Sequence, residues 1–91
     1  MDVRHDEEAS SFILETAHGP AVLEYSRLND GVLDFRHTLV PEDERGHGLG
    51  ARLVAGAMEH VERLEATIRP TCPFVRDWVK RHPEFEHLVD E

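Results

Sequence analysis

Three alternating glycines follow Arg45 in the segment Arg45-Gly46-His47-Gly48-Leu49-Gly50. Glycine costs about 1 kcal/mol relative to alanine in a helix interior, so a purely structural helix start has no use for three. Missing side chains instead let a ligand approach the backbone, and the first amides of a helix attract anions. Arg45 and His47 can add charge-assisted hydrogen bonds. This loop is therefore predicted to bind a phosphate or diphosphate.

Cys72 is the single cysteine of the chain, which excludes an internal disulfide. The order Thr71-Cys72-Pro73 predicts a helix whose first turn contains the proline, with the sulfur at or near the N-cap. The positive end of a helix favours a thiolate and lowers the thiol pKa, which makes a nucleophile. An inert buried thiol is the alternative.

His37 is the second candidate for chemistry. Strict alternation along Val32 to Val40 puts it on one strand face with Leu33, Phe35 and Leu39, and Thr38 on the other. A half-buried histidine there could accept a proton from an attacking amine or from Cys72. A structural histidine bonded to backbone is the alternative.

The elements that must position these residues follow from periodicity. Alternation predicts strands at Ser11–Thr16, Ala21–Ser26 and Val32–Val40, separated by turns at His18-Gly19-Pro20 and Leu28-Asn29-Asp30-Gly31. We expect residues 1–9 to be disordered because they are polar.

The second half of the chain changes period. A helix is predicted from about Gly48 to Glu65, then a short strand at Ala66–Arg69 and a second helix from Pro73 that ends at His82-Pro83. Trp78 is expected in the core, and the tail after Pro83 as an edge strand or irregular. The order βββ–α–β–α predicts one α+β domain over residues 1–91, with helices covering a mostly antiparallel sheet.

Composition limits the partners. The 91 residues include 19 acidic and 10 basic side chains, a formal charge of −9, which argues against nucleic acid. No apolar stretch is long enough for a membrane span or a signal peptide, so we expect a cytoplasmic protein. The seven histidines are scattered, so no metal site is expected. The charge either favours a cationic acceptor or serves only solubility.

Two other phosphate loops fit less well. A Walker A loop needs Lys-Ser/Thr after its last glycine, where this chain has Ala51-Arg52. The spacing Gly46-x-Gly48-x-x-Ala51 matches the dinucleotide fingerprint. That motif directly follows the first strand of a parallel βαβ unit, whereas here an acidic loop intervenes after antiparallel strands.

Arg45-x-x-Gly48-x-Gly50 resembles the Arg/Gln-x-x-Gly-x-Gly/Ala signature of the GNAT acetyltransferases, and it too stands between a central strand and a long helix. From about Ala21 to Leu88 the chain is also similar to a small single-domain GNAT-like family. The matching segments are His37-Thr38-x-Val40, the glycine loop, Pro70-x-Cys72-Pro73-Phe74 and His82-Pro83.

This resemblance implies a sheet that splits between Val32–Val40 and Ala66–Arg69, beside the glycine-loop helix, with the pantetheine arm of acetyl-CoA in the opening. Leu39 and Val40 would offer backbone groups to the pantetheine amides. The residues implied to surround the diphosphate are Arg45, Gly46, His47, Gly48, Leu49 and Gly50. The acetyl group would end near Cys72, and the small family carries a cysteine there that is proposed to act in acetyl transfer.

The tyrosine that larger GNAT enzymes use as an acid has no counterpart, because Tyr25 is on an early strand and Phe74 occupies the corresponding position.

From the resemblance we expect an acetyl-CoA-dependent N-acetyltransferase, with Cys72 and His37 as candidate catalytic residues and a small amine or peptide as acceptor. The alternatives are a non-catalytic CoA-binding or sensing module, or glycines that only allow a close helix–sheet crossing. We expect a monomer or weak homodimer.

Overall fold

A computed structural model describes residues 3–28 and 31–90 of the chain. These residues form a five-stranded sheet in the order β1-β2-β3-β4-β5, with two α-helices and two 3₁₀ segments. The elements are β1 (Arg4–Asp6), β2 (Ser11–Thr16), β3 (Gly19–Arg27), β4 (Val32–Leu39), a 3₁₀ turn (Glu42–Glu44), α1 (Leu49–Arg63), β5 (Thr67–Pro70), α2 (Pro73–Arg81) and a second 3₁₀ segment (Pro83–Leu88). The predicted α+β class is confirmed. No helix among the described residues is long and apolar enough to span a membrane.

Strands β1 to β4 form an antiparallel meander, as predicted for the last three of them. The β2–β3 turn is tight because Thr16 pairs with Gly19, which has a φ of 115°. In the predicted β3–β4 turn, Asn29 and Asp30 lie outside the described residues. Gly31, at its end, has a φ of 76°, in the left-handed region that glycine adopts without strain.

β4 and β5 are parallel neighbours that separate after Phe35. Their register runs from Val32 opposite Thr67 to Phe35 opposite Pro70, and the Cys72 N–H then donates to the Phe35 carbonyl at 2.8 Å. β4 continues to Leu39 beyond this last pair. The predicted split is thus confirmed, and it opens beside the start of α1. A parallel β4–α1–β5 unit is present, but residues 40–48 separate β4 from α1, unlike a dinucleotide fingerprint.

A β-bulge in β4 changes which side chains face the helices. Tyr25 pairs with Phe35 and Glu24 pairs with His37, so Arg36 is an extra residue in the ladder. Residues directly opposite each other share a sheet face. Thr38, opposite the buried Leu23, therefore points to the same side as Phe35. This reverses the alternation that the sequence predicted for the end of β4.

The amphipathic helix α1 buries its apolar stripe against the sheet. Its buried residues are Leu49, Leu53, Val54, Ala57, Met58 and Val61. The helix was predicted to run to Glu65, but it ends at Arg63. Leu64 is 49 % exposed, and Glu65 takes a positive φ of 57°. Helix α2 adds Val75, Trp78 and Val79 to the same core. The expectation that Trp78 is a core residue is confirmed.

The prediction that residues 1–9 are disordered was wrong for the described residues 3–9. β1 pairs with β2, and its His5 ring stacks on Phe12 at 4.4 Å and lies 2.6 Å from the Tyr25 hydroxyl. The Val3 side chain occupies the space that a Cβ at Gly56 would need, and the Val3 carbonyl bonds His60 Nε2 at 2.7 Å. Tyr25, Gly56 and His60 lie at least twenty residues away along the chain, so local polarity did not reveal these contacts.

The tail is neither of the two forms expected from the sequence. After the 3₁₀ segment, which buries Leu88, Val89 forms one parallel bridge to Ile68. The predicted end of α2 is confirmed, because His82 Nδ1 bonds the Trp78 carbonyl at 2.7 Å and Pro83 follows. The tail therefore closes the outer side of β5.

The stability of the protein should fall in mild acid through His5. Burial lowers the pKa of His5 from its ordinary 6.5. Above pH 6.5, His5 is neutral in both the folded and the unfolded protein, so its full contribution to stability is present. As pH falls through 6.5 towards the folded pKa, the unfolded chain binds a proton that the folded protein resists, and the free energy of unfolding decreases. Urea unfolding between pH 5 and 7.5 measures this. His5→Gln keeps a hydrogen-bonding group without the proton and should flatten the dependence; an equal slope in both proteins would contradict the prediction.

Candidate active site

The glycine loop forms a helix start without a side-chain cap. Gly48 is the N-cap of α1 with φ 74° and ψ 12°, and Gly46 has a φ of 84°. The first bond of the helix runs from the Arg52 N–H to the Gly48 carbonyl at 3.1 Å. The amides from Leu49 to Ala51 precede that bond, so they have no intrahelical acceptor. The first turn of α1 contains no acidic residue that would offset the partial positive charge of these amides.

Gly50 has a different reason to be glycine from the one expected. A Cβ there would lie 2.9 Å from Cζ of Phe74, the second residue of α2. Gly50 therefore admits an aromatic ring from α2, whereas Gly46 and Gly48 are needed for their positive φ. The Phe74 side chain is 46 % exposed and covers the start of α1.

A cavity of about 560 Å³ lies between the start of α1 and one face of α2. Its volume is in the range of small-molecule and cofactor sites. The predicted cofactor residues that line it are Val40, Arg45, Gly46, Gly48, Leu49 and Gly50. Leu39, which is 54 % exposed, and His47 do not line it.

The α2 wall of the cavity was missed by the sequence analysis, which placed only Phe74 near the site. Phe74, Asp77, Trp78, Arg81 and His82 line it. Their spacing of three, four, seven and eight residues is that of one helix face, which was the available signal. The sequence predicted only a core position for Trp78, because apolar side chains dominate this helix face.

Glu44 puts a carboxylate in the wall beside the glycine loop. Its side chain is 13 % exposed, and Oε2 lies 2.7 Å from Nδ1 of His18 in the β2–β3 turn. The hydrogen bond from His18 lowers the pKa of Glu44, so the carboxylate stays ionised. This pair ties the 3₁₀ turn before the loop to the sheet.

Cys72 lies directly behind the cavity wall. It is the N-cap of α2, as predicted, and is 6 % exposed. Its Sγ lies 3.5 Å from Oγ1 of Thr38, and Thr38 does line the cavity. Burial raises the pKa of the Cys72 thiol, but the Thr38 hydroxyl and the backbone amides of Val75, Phe74 and Thr38 outweigh it. The pKa is therefore lower than that of an ordinary thiol.

The residue before Cys72 is bound to a buried carboxylate on β4. The Thr71 hydroxyl donates to the carboxylate of Asp34, which is 7 % exposed and also pairs with Arg36 at 3.2 Å. Together with the bond from the Cys72 N–H to Phe35, this contact fixes both residues at the point where the strands separate.

The expected position of His37 was wrong. Because of the bulge at Arg36, His37 lies opposite Glu24 on the other face of the sheet, where both side chains are exposed. Thr38, expected on the opposite face, is the β4 side chain that contacts the sulfur. No group of three or more histidine, cysteine or acidic side chains suited to a metal ion occurs within residues 3–28 and 31–90.

Replacing Thr38 with valine should raise the pKa of Cys72 because it removes the hydroxyl that favours the thiolate. Valine keeps the shape, so the fold should persist. Alkylation of Cys72 by iodoacetamide, followed against pH, should shift to higher pH and slow several-fold at pH 7, since only the thiolate reacts. Thr38→Ser keeps the hydroxyl and should behave like the wild type. Unchanged profiles in all three proteins would contradict the role of Thr38.

Comparisons with known proteins agree with this geometry. Residues 11–88 match the family model for the GCN5-related N-acetyl-transferase. Protein NATD1 from Danio rerio is 32 % identical over 90 residues, which are 97 % of this chain and 82 % of the relative. Protein NATD1 from Homo sapiens is 31 % identical over 88 residues, covering 94 % and 78 %. The solution structure of a GCN5-like protein from Staphylococcus aureus superposes with a TM-score of 0.73 at 18 % identity, over 98 % of this chain and 87 % of that one.

The overall fold is thus shared with a solved structure, and the family match spans most of the chain. The protein belongs to the GCN5-related N-acetyltransferase family. It resembles the proteins named NATD1.

Proposed function

We propose that the protein binds acetyl-CoA, its acyl-donor substrate, in the cavity between α1 and α2 and transfers the acetyl group to an amine. The observation that carries this is one cavity connecting the amides at Gly48 to Thr38, whose hydroxyl contacts the Cys72 sulfur. The amides suit the diphosphate of acetyl-CoA, and the Thr38–Cys72 end of the cavity suits its thioester.

The diphosphate is proposed to bind the uncapped amides that follow Gly48. Free amides at a helix N-terminus favour an anion, and the Arg45 side chain lines the cavity beside them. Apart from their own chain neighbours, no described residue lies within 4 Å of the position that a Cβ would take at Gly46 or Gly48, so a ligand can approach the backbone there. Of the sequence-predicted contacts, His47 has the least support, because it lies outside the wall.

The pantetheine arm is proposed to follow the edge of β4 that β5 leaves. Beyond Phe35 this edge has no β5 partner, so Leu39 and Val40 can offer backbone groups, as a further strand would use them. Such contacts are independent of the exposed Leu39 side chain. They would direct the thioester towards Thr38.

Cys72 is proposed as the group that receives the acetyl first. Its sulfur, favoured as a thiolate, would bond the thioester carbonyl carbon. The carbon–sulfur bond to CoA would break, and CoA would leave as a thiolate that takes a proton from water. An acceptor amine would then bond that carbon, release Cys72 and lose a proton. The exposed position of His37 gives no support to its acting as the base.

A binding module without turnover is the second candidate. The 6 % exposure of Cys72 favours it, because a thiol behind Thr38 reacts only if the thioester reaches past that residue. The acceptor class rests on the family and on the charge of −9, which suits a cationic amine.

A titration with acetyl-CoA tests both candidates. Ligand at 100 times its dissociation constant should stabilise the protein by about 2.7 kcal/mol. In parallel, ¹⁵N spectra should show the amides from Gly46 to Ala51 shifting with acetyl-CoA but much less with acetyl-pantetheine, which lacks the diphosphate. An acetyl-CoA complex that leaves these amides unshifted would overturn the proposed site. Turnover with a panel of amines and peptides then distinguishes an enzyme from a binding module.

A further inference from the structure

Arg81 is a positively charged residue of the cavity wall, and it has no role in the acetyl transfer proposed above. It lies in the last turn of α2, lines the cavity, and has a side chain that is 76 % exposed. Within the described residues it forms an ion pair with Asp77, four residues earlier, with Nη2 and Oδ2 3.3 Å apart. A guanidinium has five N–H donors in a planar fork, so this contact orients Arg81 and leaves donors for an anion.

The position of Arg81 along α2 places it far from the thioester end. Cys72 precedes α2, and Phe74 in its first turn packs on Gly50 of the glycine loop. Arg81 follows Phe74 by seven residues, which is about 10 Å along a helix axis. The order from the split outwards is therefore Cys72, the glycine loop and then Arg81.

A CoA molecule bound in this order carries one more charged group beyond its diphosphate. That group is the phosphate on the 3′ position of its ribose. The protein has a net charge of −9, so each phosphate needs local donors to offset general repulsion. Among the described residues that line the cavity, the arginines are Arg45 beside the glycine loop and Arg81 on the opposite wall.

We propose that Arg81 binds the ribose 3′-phosphate and makes the site select CoA over 3′-dephospho-CoA. This assignment rests on the proposed function and adds to it the residue that determines which form of the cofactor is bound. The planar fork suits a phosphate better than an ammonium does, so lysine should replace it only in part.

Calorimetric titration of wild type, Arg81→Gln, Arg81→Lys and Arg76→Gln with CoA and with 3′-dephospho-CoA tests the proposal. Arg76 is an exposed arginine of the same helix outside the cavity wall, so its variant matches the loss of charge. Wild type and Arg76→Gln should bind CoA about tenfold more tightly than 3′-dephospho-CoA, the effect of a hydrogen bond to a charged group. Arg81→Gln should lose most of this preference by weakening CoA binding alone, with Arg81→Lys between.

Other results would overturn the proposal in distinguishable ways. Equal weakening of both ligands in Arg81→Gln, or a wild type that binds both equally, would refute the 3′-phosphate contact and leave the CoA site standing. A wild type that binds neither ligand would refute the proposed function itself.

Discussion

Replacing Cys72 with alanine is expected to abolish acetylation of the protein and to reduce acetyl transfer by at least about a hundredfold. The sulfur is the nucleophile of the proposed two-step route, and its pKa is already lowered by Thr38 and the amides of α2. Alanine keeps the backbone N–H that bonds Phe35, so the split should remain. Intact mass after incubation with acetyl-CoA, and turnover with the best amine, measure the two effects.

Binding provides the control for this variant. Cys72 lies behind the wall of the cavity, so Cys72→Ala should bind acetyl-CoA with a dissociation constant within about threefold of wild type, less than 1 kcal/mol. A variant that binds normally and still transfers acetyl at a substantial fraction of the wild-type rate would show direct attack by the amine. An unmodified wild type would also count against the covalent route.

Replacing Gly48 with alanine should weaken acetyl-CoA binding by about tenfold to a hundredfold. Gly48 caps α1 at a φ of 74°, a conformation that costs a residue with a Cβ about 1–2 kcal/mol. Relief of that strain would turn the following amides away from the diphosphate, and each charge-assisted hydrogen bond lost costs about 1.5–3 kcal/mol. Calorimetric titration gives the affinity, and thermal unfolding gives the strain.

Gly31 offers a matched control for the strain. It has nearly the same φ, 76°, has open space where a Cβ would stand, and lies in the β3–β4 connection. Gly31→Ala should lower the stability by a similar amount and leave acetyl-CoA affinity unchanged. Gly48→Asn should retain most binding, since asparagine tolerates the left-handed region. Equal affinity in the two alanine variants would show that the amides after Gly48 do not bind the diphosphate.

Much of the fold could be predicted from local patterns. The bounds of β2 were predicted to the residue, and β4, α1 and β5 to within two residues, because apolar period and proline positions are properties of short segments. β1 could not be predicted this way. Its stability comes from Phe12, Tyr25, Gly56 and His60, none of which is adjacent to it in sequence.

The candidate site was predicted in part for the same reason. The loop from Arg45 to Gly50 and the N-cap position of Cys72 follow from residue type and spacing over a few positions. The face of His37 was wrong because alternation assumes a regular strand, and a bulge depends on the partner strand. Thr38 consequently replaced His37 as the neighbour of the sulfur.

Residue types and their spacing were sufficient to predict the order of strands and α-helices from β2 onwards, the glycine loop and the single thiol at a helix start. These depend on backbone preferences and periodicity within one segment. Long-range packing establishes three further features: Thr38 contacts Cys72, α2 forms a cavity wall that includes Arg81, and Phe74 packs against Gly50. Each of these joins residues more than twenty positions apart or depends on the register of two strands, which no local pattern encodes.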